Sequence, residues 1–238
     1  PVIGLIVSMV QTIMMVAGFY LMFYFTGMRG AAIRGDYILY IFSGIFMFML
    51  HTKAMAAVMK ADGPTSAMMQ HAPMNTIIAV VGAALSALYI QMLSLFVVLY
   101  FYHAIVTPIT IHEPVPVFGM MMLSWASGAA IGMLFRAMTP WQPRVFGIIS
   151  GVYMRLNMVS SGKMFVANAM PTMLLNMFDW NPLFHTIDQG RGFIFINYNP
   201  HYSSYMYAVY VTLACIVIGL MGEFYTRQHV SASWTAGK

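Results

Sequence analysis

Long apolar runs with almost no charge constrain this chain more than any other feature. Eleven basic and six acidic side chains are spread over 238 residues, and residues 1–28 contain no acidic side chain and no basic one. Charged residues make up 7% of the chain, against roughly a quarter of a typical soluble domain. Because an α-helix rises about 1.5 Å per residue, about 20 apolar residues cross the hydrocarbon of a bilayer. The sequence therefore predicts an all-α integral membrane protein.

Six runs are long enough to cross the membrane, and no hydrophilic stretch is long enough to fold separately, so we expect one polytopic domain over 1–238. The predicted spans are 3–25, 37–59, 76–102, 117–138, 145–165 and 205–225. Small-residue runs at 82–84 and 127–130 would let neighbouring helices approach closely. An even number of spans puts both termini on one side, and the modest excess of Lys and Arg on that side predicts that it is cytoplasmic.

Several classes of function are disfavoured by the residues themselves. The net charge of +5 comes without any Lys/Arg cluster, so nucleic acid is not an expected partner. Gly162-Lys163 resembles the end of a phosphate-binding loop, but Met164 replaces the required Ser or Thr and Asn157 stands where the first glycine should be. The single cysteine, Cys215, excludes an intrachain disulfide. We expect no ATP site on this chain.

Metal and haem are also not expected. The seven histidines do not pair at one membrane depth, as haem ligation on facing helices would require. A group of soft ligands, Met68, Met69, His71 and Met74, could suit Cu(I), but chance proximity among 26 methionines explains it better. The sequence predicts no metal, no cofactor and no catalytic residue.

The segment 171–200, between the last two predicted spans, is too interrupted by Pro, Asn and Gly to cross a bilayer and too rich in Phe, Leu, Ile and Trp for a solvated loop. It predicts a re-entrant or half-buried pair of short helices on the outer face, split at Asn181-Pro182. Irregular backbone at membrane depth survives only where it is buried in protein or lines a water-filled cavity, so the segment points to a translocation path. Candidate gate or substrate contacts are Trp180, Asn181, His185, Asp188 and Arg191.

Arg155 lies about ten residues into the fifth predicted span, where an Arg is costly unless it faces a partner or an aqueous path. Either it belongs to a path or gate, or it forms a structural pair or marks a misplaced span boundary. Tyr153, two residues earlier, points to another side of the helix and is a further candidate for lining a path.

The connection 60–75 lies on the predicted cytoplasmic side and combines a turn at 62–65 with a start signal for a short helix. It is either a docking surface for a cytoplasmic partner or a plain connecting loop.

Three groups of residues resemble one family. The run 178–185, FDWNPLFH, followed by Arg191 and by 223–227, EFYTR, resembles the C-terminal third of ABC-2 type permeases, closest to the capsular polysaccharide and O-antigen exporters of the polysialic acid type. Met154-Arg155 with the later Ser160-Ser161-Gly162 and Met170-Pro171 is similar to that family's fifth span and outer turn. The run 69–77 is similar to its loop before the third span.

The resemblance implies a non-enzymatic transport subunit of the bacterial inner membrane, with both termini cytoplasmic. Two copies of the chain would pair with two ATPase subunits that carry the ATP and Mg, and envelope-spanning export proteins are further expected partners. The connection 60–75 would receive the ATPase movement through Lys60, Asp62, Gln70, His71, Pro73 and Asn75. The family also has an amphipathic cytoplasmic helix before its first span, so we expect residues before Pro1.

The function that the resemblance implies is ATP-driven export of a lipid-linked polysaccharide. Two alternatives stay open: an ABC-2 exporter of lipids or drugs, and a non-transporting accessory subunit of a larger membrane complex.

Overall fold

The computed structural model describes residues 2–26, 33, 36–61 and 76–229, and it is helical throughout, with no strand in these ranges. Its α-helices are α1 (Val2–Thr26), α2 (Tyr37–Met59), α3 (Thr76–Ile105), α4 (Pro114–Met138), α5 (Pro143–Ser160), α6 (Thr172–Phe178), α7 (Pro182–Ile194) and α8 (Tyr205–His229). A 3₁₀ turn, Ala167–Ala169, lies between α5 and α6. The all-α prediction is confirmed.

Five of these helices, α1, α2, α3, α4 and α8, are long and apolar enough to cross a membrane. They correspond to five of the six predicted spans, and the bounds of α2 coincide with the predicted 37–59. At about 1.5 Å per residue, its 23 residues extend about 35 Å, enough to cross the hydrocarbon. The chain is therefore a multi-pass membrane protein.

The fifth predicted span, 145–165, forms the shorter helix α5, which is less apolar than the other five and ends at Ser160. Gly162 has φ +75°, a left-handed conformation that glycine adopts without steric cost and that ends a helix. With 18 residues, α5 is about 27 Å long, slightly less than the thickness of the hydrocarbon. A sixth crossing by this helix stays a prediction.

Helix α2 forms the centre of the bundle and packs against α1, α3, α4 and α7. Its contact with α4 is a contact between backbones: a β-carbon at Gly128 would collide with the His51 carbonyl, and one at Gly132 would lie 2.8 Å from the Met55 carbonyl oxygen. The close approach predicted for 127–130 is thus confirmed, whereas a β-carbon at Gly82 would meet nothing within 4 Å.

The segment 171–200 folds as two short helices whose break coincides with the predicted Asn181-Pro182. Helix α6 is mostly exposed, but α7 is buried against α2, α4 and α8, so it lies deeper in the protein than the half-buried pair we expected. The end of α7 lies beside the start of α4, where the Glu113 amide donates to the Phe193 carbonyl over 2.9 Å.

Candidate functional site

The turn that follows α5 lies inside the bundle and is held there by Arg191 of α7. The guanidinium Nη1 donates to the carbonyl oxygens of Gly162 (2.7 Å) and Phe165 (2.6 Å), and Nη2 donates to that of Lys163 (2.6 Å). Arg191 is 0% exposed and stacks on the ring of Tyr40 at 4.2 Å. Because a buried carbonyl without a donor is costly, the rigid fork of one arginine stabilises a turn in which the backbone bond from the Phe165 amide to the Gly162 carbonyl is long, at 3.3 Å.

Gly44 of α2 makes room for this contact. A β-carbon there would lie 2.7 Å from Nη2 of Arg191 and 2.9 Å from the Cα of Lys163. Gly44 is seven residues after the start of α2, so the backbone of the turn lies about 10 Å along α2 from its first residue. The turn is therefore well inside the bundle rather than at its end.

Asp188, one turn before Arg191, fixes the return of the chain after α7. Its carboxylate, 2% exposed, accepts hydrogen bonds from the Tyr198 hydroxyl and from Oγ of Ser203 (2.6 Å). Burial and the charge of Asp188 together raise the pKa of Tyr198, so the phenol stays protonated and remains a donor.

Asn181 joins the first residue of α7 to the last turn of α5. Its side-chain oxygen accepts from the Leu183 amide at 3.0 Å and caps α7, while its Nδ2 donates to Asn157 (2.6 Å) and to Ser160 (2.9 Å). All of these polar groups are buried, so the break between α6 and α7 is a fixed corner.

His185 is also bonded on both ring nitrogens. Nε2 donates to the Asp179 carbonyl over 2.6 Å, and Nδ1 accepts from the Ser204 amide at 3.1 Å, an arrangement that requires the neutral ring. Burial lowers the pKa of His185, against an opposing effect of Asp179, which agrees with that protonation state.

Four of the predicted gate or substrate residues, Asn181, His185, Asp188 and Arg191, thus lie together on α7 and at its start, with hydrogen-bond partners inside the chain. Trp180 differs: it is 48% exposed at the corner between α6 and α7, although its Nε1 donates to the Met177 carbonyl at 2.7 Å. In this conformation Trp180 has the most accessible surface of the group. Contact between the polar groups on α7 and a substrate would require their internal bonds to break.

Tyr153 belongs to a buried chain of polar groups that crosses three helices. His51, fully buried in α2, contacts the Tyr153 hydroxyl through Nε2 (3.3 Å) and Oγ of Ser127 through Nδ1 (2.9 Å). Ser127 in turn donates to the Ser124 carbonyl at 2.8 Å. Our sequence analysis considered His51 only among the seven histidines, as a possible haem or metal ligand. The signal for its role here is a histidine within an apolar span, opposite a helix with serines three residues apart.

Arg155 lies on the exposed face of α5, between Val152, Leu156 and Val159, which are each about half exposed. In the part of the chain that the structure describes, Arg155 has no ion pair with a carboxylate. The structural pair that was one alternative for Arg155 is not found within these ranges.

Lys163 is a second buried cation that the sequence analysis did not select. It is 3% exposed, and its Nζ lies 3.3 Å from the centre of the Phe48 ring and 5.3 Å from that of Phe19. Within the described ranges no hydrogen-bond acceptor reaches this ammonium, so aromatic faces are its main surroundings.

Of the residues predicted to couple to an ATPase, only Lys60 is within the described ranges, where it ends α2. Asp62, Gln70, His71, Pro73 and Asn75 lie outside the described residues. Among the residues that are described, no group of three or more His, Cys, Asp or Glu side chains could hold a metal ion.

No protein-family model matches the chain, and no curated protein matches it at a significant level.

Proposed function

We propose that this chain is the membrane-spanning permease subunit of an ATP-driven exporter of a lipid-linked glycan, of the capsular polysaccharide or O-antigen type. The observation that carries the proposal is the irregular turn between α5 and α6, which lies about 10 Å along α2 inside the bundle and is bonded to Arg191. Backbone of this kind at membrane depth is tolerated only where it is buried in protein or lines a water-filled cavity, and a transport path supplies such surroundings.

The resemblance to ABC-2 permeases supports the same interpretation. Its most characteristic run, 178–185, makes up the corner between α6 and α7, and Arg191 is the residue that holds the turn. In such a protein the segment 171–200 is re-entrant and borders the outer end of the path. Trp180, exposed at the corner, is then the first candidate for contact with the glycan, because sugars present apolar CH faces to aromatic rings.

The exposed face of α5 supports pairing of two copies. Ile148, Val152, Leu156 and Val159 form an apolar surface with Arg155 within it. An arginine facing only lipid at that depth is costly, and a second copy would give it a protein or aqueous environment. The path would then lie between the two copies, with Arg155 at its border.

The energy for export would come from a partner. The chain lacks a complete phosphate-binding loop, so ATP and Mg would be held by two cytoplasmic ATPase subunits that contact 60–75. The assembly would lie in a bacterial inner membrane with both termini cytoplasmic, and envelope-spanning proteins would receive the glycan.

Deletion of the gene in its own host tests the function. We expect surface glycan to fall below about a tenth of the wild-type amount and lipid-linked glycan to accumulate inside the cell, with both restored by the wild-type gene on a plasmid. Size-resolved electrophoresis of surface and intracellular glycan measures this. Unchanged surface glycan with altered drug or lipid efflux would replace the proposal with the smaller-substrate exporter, and no change in either would favour an accessory subunit.

A further inference from the structure

A polar cleft lies between α1, α2 and α3, on the other side of α2 from the α4 contact. It has a volume of about 470 Å³ and is walled mainly by small residues and by six polar side chains: Ser8, Gln11, Lys53, Lys60, Ser86 and Gln91. None of the described residues that line it is acidic. The cleft is thus a concave, cationic space in a bundle that is otherwise mostly apolar.

Lys53 provides a partly exposed charge within the long helix α2. It lies in α2 about 10 Å before Lys60, which ends the helix, and the spacing of seven residues puts both side chains on one face. The Lys53 ammonium donates to the neutral Oε1 of Gln11 at 2.6 Å, and no described carboxylate pairs with it. An ionisable side chain within a membrane span normally has a counter-charge or a function.

Gln91 of α3 adds an unsatisfied donor to the same wall. It is 4% exposed, its Oε1 accepts from Ser8, and its Nε2 has no hydrogen-bond partner among the described residues. A buried amide that lacks an acceptor costs about 1–3 kcal/mol, so such groups usually bond to a ligand or a water molecule. Lys53, Lys60 and Gln91 are all donors that lack a charged acceptor within the described ranges.

We propose that this cleft binds a phosphate-bearing anion. A phosphate offers several acceptor oxygens and up to two negative charges, which match two ammonium groups and one amide donor. Because α2 is long enough to cross the hydrocarbon, its end would lie near the level of the phospholipid phosphates. The phosphate would therefore belong either to an anionic lipid or to a soluble anion. This proposal does not rest on the export function.

The thermal unfolding midpoint (Tm) of the purified full chain in neutral detergent tests the site. We expect dioleoyl phosphatidylglycerol to raise Tm by about 3–5 °C at saturation and dioleoyl phosphatidylcholine to raise it much less. Inorganic phosphate and pyrophosphate are titrated separately against potassium chloride at equal ionic strength. A shift with the anionic lipid alone identifies a lipid ligand, and a shift with phosphate or pyrophosphate identifies a soluble one.

Variants make the assignment specific. Lys53→Gln should raise the apparent Kd about tenfold, Lys60→Gln about threefold because it is exposed, and Lys53→Arg should keep most of the affinity. Arg144→Gln removes an exposed cation outside the cleft and should leave the Kd unchanged. If Lys53→Gln does not fold, the apparent Kd values of Lys60→Gln and Gln91→Met are compared with that of the wild type instead. Equal Tm shifts in wild type and cleft variants, or no shift with any of the probes, would overturn the proposal.

Discussion

The buried face of α7 and the cleft between α1, α2 and α3 use similar side chains in opposite ways. On α7, Arg191 has three carbonyl acceptors and Asp188 has two hydroxyl donors, all supplied by the chain itself. In the cleft, Lys53 has one neutral partner, and Nε2 of Gln91 has none among the described residues.

This difference distinguishes polar groups that stabilise the fold from polar groups that are available to bind a ligand. A buried polar group whose bonds are complete stabilises one arrangement of the backbone, and a ligand could reach it only by breaking those bonds. A polar group in a cavity that still lacks a hydrogen-bond partner can bind a ligand that supplies this partner. The polar residues of α7 hold the path segment in place, because both Nη atoms of Arg191 and the Asp188 carboxylate are bonded within the chain, and only Nε of Arg191 has no partner among the described residues. The cleft, by contrast, is open to a ligand.

Arg191→Met should lower the stability of the protein more than Gly44→Ala or Lys163→Met does. It leaves the carbonyls of Lys163 and Phe165 without this donor and the Gly162 carbonyl with only the Phe165 amide at 3.3 Å, so we expect a loss of about 3 kcal/mol or more in stability. Thermal unfolding in detergent and the yield of folded protein from membranes measure it. Arg191→Lys should recover only part of the loss, because one ammonium cannot reproduce the planar fork. A wild-type Tm for Arg191→Met would show that the turn is held by other contacts.

Gly44→Ala should have the next largest effect. The added β-carbon would lie 2.7 Å from Nη2 of Arg191 and 2.9 Å from the Lys163 backbone, and overpacking of this kind costs about 1–3 kcal/mol. Gly82→Ala is the matched control, since nothing lies within 4 Å of its β-carbon and alanine favours a helix. The comparison is the Tm of the two variants, and equal values would contradict the close packing at Gly44.

Lys163→Met should have the smallest effect, within about 1 kcal/mol and either neutral or stabilising. It removes a cation–π contact with Phe48, but it also removes the cost of burying an ammonium that has no acceptor within the described ranges. Substitution by methionine at both positions therefore compares the stability lost with a hydrogen-bonded buried cation, Arg191, and with one that has no acceptor among the described residues, Lys163. A loss at Lys163 as large as that at Arg191 would mean that the number of internal bonds does not distinguish the two sites.

Much of this architecture follows from local pattern. Apolar runs predict the five long helices, and Asn181-Pro182 carries both a cap and a residue suited to a first turn, so the break in 171–200 could be placed. The small residues at 127–130 predict a close contact with a neighbouring helix, and the structure shows that this helix is α2.

The site was less predictable, because it depends on which faces meet. Arg191 could be selected as a candidate from the sequence. Its hydrogen bonds to three carbonyls, however, exist only because α5 ends before Gly162 and because Gly44 of α2 has no side chain in the space that the guanidinium fills. The cleft exists because the packing of α1, α2 and α3 places Gln11, Lys53 and Gln91 on helix faces that line one space. Helices that are apolar on nearly every side contain little periodicity from which such an orientation could be read.

The composition of the native assembly tests the central claim most directly. The full chain, tagged and purified from its host's membranes in mild detergent, is weighed by native mass spectrometry and its partners are identified by peptide sequencing. The proposal predicts two copies of this chain with two copies of an ATPase that carries a complete phosphate-binding loop. A single copy, or a complex without any ATPase, would contradict it.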